Sequence, residues 1–105
     1  MDGVGDVAGG AMMDGELRIR LEQAAASLKR LGAREVYVFG SVLTGTLREG
    51  SDVDLAVSGL PPEAYFAAMR EARQILEREV DLIDLDEGNP FGEYLREKGK
   101  LQRVA

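Results

Sequence analysis

The chain has 105 residues, 45% of them hydrophobic and 30% charged, with a formal net charge of −6. That length supports one core and not two, and the acidic balance argues against a long phosphate-backbone partner, which would want a basic face. There is no cysteine and no histidine. Disulfides, thiolate and imidazole metal ligands and imidazole acid–base catalysis are therefore excluded, and any chemistry must use carboxylates, hydroxyls, backbone amides, Lys or Arg.

Residues 1–15 are Gly-rich and acidic without periodicity, which predicts a disordered N-terminal tail ahead of one domain over residues 16–105. Nothing there resembles a signal peptide, and no run reaches membrane-spanning length, so the expected location is cytoplasmic. Residues 16–31 read as the first helix. Leu17, Leu21, Ala24, Leu28 and Leu31 form one stripe at helical spacing, with Asp14 as N-cap and Gly32 as C-cap.

Residues 35–39 form an apolar, β-favouring run that ends on Gly40-Ser41. A glycine there suits a positive φ or a close approach of the backbone to another group. Ser41 is placed to cap a short helical turn over residues 42–44, closed by Gly45, with backbone amides that favour an anion. A loop carrying Arg48 leads to a second strand over residues 52–57. Residues two apart on a strand share a face, so Asp52 and Asp54 project together while Val53, Leu55 and Val57 face a core. Two adjacent carboxylates repel each other unless a cation sits between them.

Ser58-Gly59-Leu60-Pro61-Pro62 breaks the chain, and Pro62 suits the first turn of a helix running to about residue 79. Its stripe is Tyr65, Ala68, Met69, Ala72, Ile75 and Leu76. Its charges, Arg70, Glu71, Arg73, Glu77, Arg78 and Glu79, read as a solvated face with pairs within the helix. Residues 80–85 form a third strand on which Asp81 and Asp84 lie on opposite faces, and periodicity does not choose between them. A short helix over residues 91–98 follows, with Asn89 as cap and Pro90 at its first position. Residues 100–105 add a short strand or stay loose. The order predicts an α+β (α/β) domain with a small mixed sheet, helices packed on one face, and the other face open for the carboxylates.

Asp-x-Asp alone, or Gly-Ser after a strand alone, means little. Together they carry a resemblance: Phe39-Gly40-Ser41-x-x-x-Gly45, then Ser51-Asp52-x-Asp54-Leu55, then Val80-Asp81-Leu82-Ile83. Over residues 16–98 the chain resembles the stand-alone minimal nucleotidyltransferases of the DNA polymerase beta superfamily, of the MntA-like antitoxin type. The resemblance implies a nucleotidyltransferase-like fold. It implies that Gly40 and Ser41 hold the phosphates of ATP, and that Asp52 and Asp54 bind two magnesium ions. It favours Asp81 over Asp84 as the third carboxylate, joining the metal set and positioning or deprotonating the attacking hydroxyl. Hard oxygen ligands suit magnesium, and two ions can clamp both attacking and leaving oxygens.

The same resemblance implies a helical HEPN-type protein partner in a toxin–antitoxin pair, with AMP added to a tyrosine of the toxin. Many relatives carry Arg or Lys just after Gly-Ser, where this chain has Val42-Leu43-Thr44; Arg48 is the cation close by in sequence and joins the nucleotide-binding candidates. The expected function is thus magnesium-dependent transfer of a nucleoside monophosphate to a protein hydroxyl, in association with such a partner or as a homo-oligomer. The alternative is a catalytically weak nucleotide- or partner-binding module that sequesters the HEPN-type protein.

Overall fold

A computed structural model describes residues 15–48, 50–88 and 90–105. Of the tail expected over residues 1–15, residues 1–14 lie outside the described residues, as do the caps expected at Asp14 and Asn89, while Gly15 already belongs to the first helix. Helix α1 spans Gly15–Arg30, strand β1 Glu35–Phe39, the short helix α2 Ser41–Thr44 and strand β2 Val53–Ser58. A 3-10 turn over Pro62–Ala64 enters helix α3, Tyr65–Leu76. Strand β3, Val80–Asp84, is followed by a second 3-10 turn, helix α4, Pro90–Glu97, and strand β4, Gln102–Arg103.

Among the described residues, four strands form one mixed sheet in the order β3-β2-β1-β4. Strand β2 runs antiparallel to β1 and parallel to β3, while β4 pairs antiparallel with β1. The C-terminal residues thus complete the sheet as a fourth strand, and Val104 and Ala105 extend the pairing through backbone bonds to Val36.

The main core lies under α1 and α3. Leu21 and Leu28 of α1 meet Ala68, Ala72 and Leu76 of α3 over Val36, Val38, Leu55, Val57 and Leu82 of the sheet, all buried. Helical period on one side and strand period on the other bring these residues to a shared interior. The fully buried Ser27 hydroxyl donates to Glu71 of α3, and Tyr65 donates to the Leu82 carbonyl.

The charges of α3 differ from the expected intrahelical pairs. Arg20 of α1 bridges to Glu77, Arg73 pairs with Glu79, and the Arg78 guanidinium donates to the carbonyls of Arg48 and Ser51 at 2.8 and 3.1 Å. The helix stops at Leu76 because Glu77 takes a left-handed conformation, φ 55° and ψ 39°, so the residues after it are free to reach other elements.

Helix α4 lies on the second face of the sheet. Leu95 packs with Phe39, Ala56 and Leu85 in a smaller core, flanked by Tyr37, Leu43, Ile83 and Leu101. The carboxylate face is therefore partly roofed, unlike the fully open face expected of three strands. None of the helices among the described residues is long and apolar enough to cross a membrane.

Candidate active site

The site grows from the antiparallel pairing of β1 and β2, which sets Phe39 opposite Asp54. Gly40 is the next residue and leaves the strand at φ 75° and ψ −138°, a conformation that side chains rarely adopt. A Cβ at this position would collide with the Asp54 carboxylate, with its Cγ only 3.1 Å away. Glycine is thus required twice, for the backbone angle and for the approach of the carboxylate. Gly40, not Ser41, is the N-cap of α2; Ser41 is the first helical residue. The Gly40 carbonyl accepts from the amides of Leu43 and Thr44 at 3.0 and 3.2 Å, and Gly45 closes the turn in the left-handed conformation.

Parallel pairing of β2 and β3 puts Asp81 level with Asp54. The two carboxyl groups lie side by side on the face opposite the main core, and Asp54 is half-buried. Burial, then the charge of Asp81, a hydrogen bond with it, and the charge of Asp52 push the Asp54 carboxyl up to about 6. Asp84 goes elsewhere: its carboxylate accepts the amide of Asp86 at 2.8 Å and caps the turn after β3. Asp52 precedes β2 by one residue and is exposed, so the strand period does not hold it against Asp54. Among the described residues no three carboxylates gather into a group that could hold a metal ion.

A cavity of about 660 Å³ opens over the carboxylate pair, a size that takes a nucleotide-sized molecule. Gly40, Asp54 and Asp81 line its floor side, together with Thr44 and apolar residues of the sheet. Phe91, Tyr94 and Leu95 of α4 form a wall, and Lys100 lines it from beyond the helix. Phe91 is fixed edge-on to Phe39, with ring centroids 5.8 Å apart.

Ser41 and Arg48 are not among the residues lining this cavity. The Arg48 loop is tied to the entry of β3 by Arg78, and the Arg48 amide donates to Ser51 Oγ at 3.0 Å. The α4 wall and Lys100 escaped the sequence reading. The one local signal was the spacing of Phe91, Tyr94 and Leu95, which marks an amphipathic helix without saying what it covers.

A second cleft, about 560 Å³, lies between the start of α1 and the residues after α3, lined by Arg20, Glu77, Arg78 and Glu79 among others. Arg20 is already paired, with Glu16 within α1 and with Glu77 across the cleft, and the lining holds no carboxylate pair on adjacent strands.

The described family "Polymerase beta, Nucleotidyltransferase" matches residues 22–101. A solved structure described as that of a candidate minimal nucleotidyltransferase is 30% identical, with a TM-score of 0.67 over 77% of this chain and 87% of that one. A toxin–antitoxin crystal structure with AMP-PNP is 24% identical, with a TM-score of 0.64 over 80% of this chain and 72% of that one. The MntA–HepT toxin–antitoxin structure is 20% identical, with a TM-score of 0.58 over 84% of this chain and 71% of that one. No curated protein sequence matches the chain.

Proposed function

The chain belongs to the polymerase beta nucleotidyltransferase family, and from that premise we propose that it transfers a nucleoside monophosphate, AMP from ATP, to a hydroxyl of a protein acceptor. One observation carries the reading. Asp54 and Asp81 stand level on adjacent parallel strands, beside a glycine whose missing side chain is what lets the carboxylate come so close.

The residues fit magnesium by the chemistry of their donors. Asp54 and Asp81 supply hard oxygens in mutual repulsion, and Asp52 stands near enough to act on Asp54 through its charge. When bound, the metal would supply positive charge to the phosphates and to the oxygens that attack and leave. Gly40 and Ser41 would hold the phosphates at the start of α2, Gly40 by keeping the space above Asp54 clear. Arg48 stands off the cavity wall and takes no part in this assignment.

The acceptor hydroxyl would enter beside Asp81, whose exposed carboxylate takes its proton. The oxygen attacks the α-phosphorus, the bond between that phosphorus and the bridging oxygen to the β-phosphate breaks, and pyrophosphate leaves. The wall of Phe91, Tyr94 and Leu95 excludes water on one side of the cavity.

A protein acceptor accords with the net charge of −6, which disfavours nucleic acid. The toxin–antitoxin structures that share the fold support a protein partner and an antitoxin role, and the motif resemblance makes that partner a helical HEPN-type protein. Residues 16–105 would form the minimal nucleotidyltransferase domain in that pair, acting in the cytoplasm.

The weaker-catalyst reading has its own observation: no three-carboxylate group forms among the described residues. One experiment separates the two. The protein, with proteins co-purified from its host, is given magnesium and ATP labelled at the α or at the γ phosphate. Transfer predicts α label on protein and none from γ. Tight, label-free ATP binding with no transfer would support the binding module instead.

A further inference from the structure

We infer that Lys100 is the cation that holds the phosphate tail of the bound nucleoside triphosphate. The inference rests on the nucleotidyl-transfer reading above and names a residue that reading leaves open. The turn after Gly40 offers Val42, Leu43 and Thr44, none of them charged. A triphosphate arriving beside Asp54 and Asp81 would meet two carboxylates with no positive group from that turn. Among the described residues that line the cavity, Lys100 is the one cation, set against Asp54 and Asp81.

Its backbone is fixed by the end of α4. Gly99, at φ 65°, donates its amide to the Arg96 carbonyl at 3.2 Å, and the Lys100 amide reaches back to the Leu95 carbonyl at 2.8 Å. That is a Schellman-type closure, in which glycine takes the left-handed position and the next residue is locked to the last turn. Leu95 before it is buried in the smaller core, and Leu101 after it packs on the same core. The Lys100 backbone is therefore held at the cavity from both sides, while its four-carbon stem leaves the ammonium free to reach inward.

Among the described residues Lys100 forms no ion pair, so its charge is not already spent on Asp54 or Asp81. A lysine placed only to neutralise the carboxylates would be paired with one of them before any ligand arrives. A lysine placed for solubility would not sit on the wall of the cavity that holds them.

The test is equilibrium binding of ATP and of AMP in magnesium by titration calorimetry, on the wild type and on Lys100→Gln, Lys100→Arg and Arg48→Gln. Lys100→Gln should weaken ATP about tenfold, the scale of one lost charge-assisted hydrogen bond, and leave AMP nearly unchanged. Lys100→Arg should keep most of the ATP affinity, and Arg48→Gln should leave both ligands as they were. Equal loss for ATP and AMP, no loss for either, or selective loss in Arg48→Gln instead would each overturn the assignment. Wild-type protein that binds neither nucleotide would remove the nucleotidyl-transfer reading as well. Normal wild-type binding with an unaffected Lys100→Gln removes Lys100 alone.

Discussion

The two faces of the sheet are built from the same strands and follow opposite rules. On the face under α1 and α3, every inward residue of β2 is apolar and fully buried: Val53, Leu55 and Val57. On the other face the same strand presents Asp54, Ala56 and Ser58, and β3 presents Asp81 and Ile83. The first face is close-packed and satisfied. The second keeps two like charges together, a glycine in a rare conformation and a cavity. Stability is made on one side of a single strand and given up on the other, which is where chemistry is expected.

The comparison breaks most visibly under substitution in the large core. Leu55→Ala leaves a cavity among residues that cannot collapse freely and should cost about 3 kcal/mol in chemical denaturation. Any nucleotide binding that survives should keep its affinity, because Leu55 points away from the site. Gly40→Ala sits on the other side of the sheet. The added Cβ meets the Asp54 carboxylate in a backbone conformation that alanine disfavours. It should cost about 2 kcal/mol and abolish ATP binding together, so denaturation and calorimetry should move in the same variant.

Asp54→Asn should move stability the opposite way. The Asp54 carboxyl is raised in the folded protein from 3.8 to about 6. A raised carboxyl favours the folded state fully below pH 4, and that benefit is lost as pH climbs through 6. Asparagine keeps the neutral form at every pH. The variant should match the wild type near pH 4 and be more stable by about 1 kcal/mol at pH 8, after allowance for solvent screening. Melting curves across that range check it. Magnesium-ATP should then raise the wild-type midpoint and leave the variant's unmoved.

The smallest effect tests whether all strain belongs to the site. Glu77 holds a left-handed conformation at the end of α3 and is not among the residues that line the carboxylate cavity. Glu77→Gly relieves it but gives up the exposed pair with Arg20, so the net gain should be about 0.5 kcal/mol. Thermal denaturation should show that gain, with ATP affinity unchanged in calorimetry.

The well-packed face was the readable one. Strand period in residues 53–57 and helical period in residues 17–28 are local patterns that announce which side is buried. The pairing of Asp54 with Asp81 was half readable. Period put them on definite faces of their own strands, yet only the parallel register of β2 and β3 makes Asp81 the neighbour and sends Asp84 to cap a turn.

What escaped depends on distant partners. Nothing in Phe91, Tyr94 and Leu95 says that they roof the carboxylates, and nothing near Gly40 points to Lys100. The end of α3 was misjudged because Glu77 carries no glycine-like signal for a left-handed residue. Arg48 was legible only as the cation near in sequence; in the fold its backbone carbonyl accepts from Arg78, and it does not line the cavity.

The measurement that bears most directly on a divided sheet is an amide-resonance map of the protein titrated with magnesium-ATP. The largest shifts should fall on residues 40–44, on Asp54 and Asp81, and on residues 91–100, with the amides of α1 and of Ala68–Leu76 nearly still. Largest shifts along α1 and α3, or in the cleft between Arg20 and Arg78, would contradict the assignment of the carboxylate face as the nucleotide site.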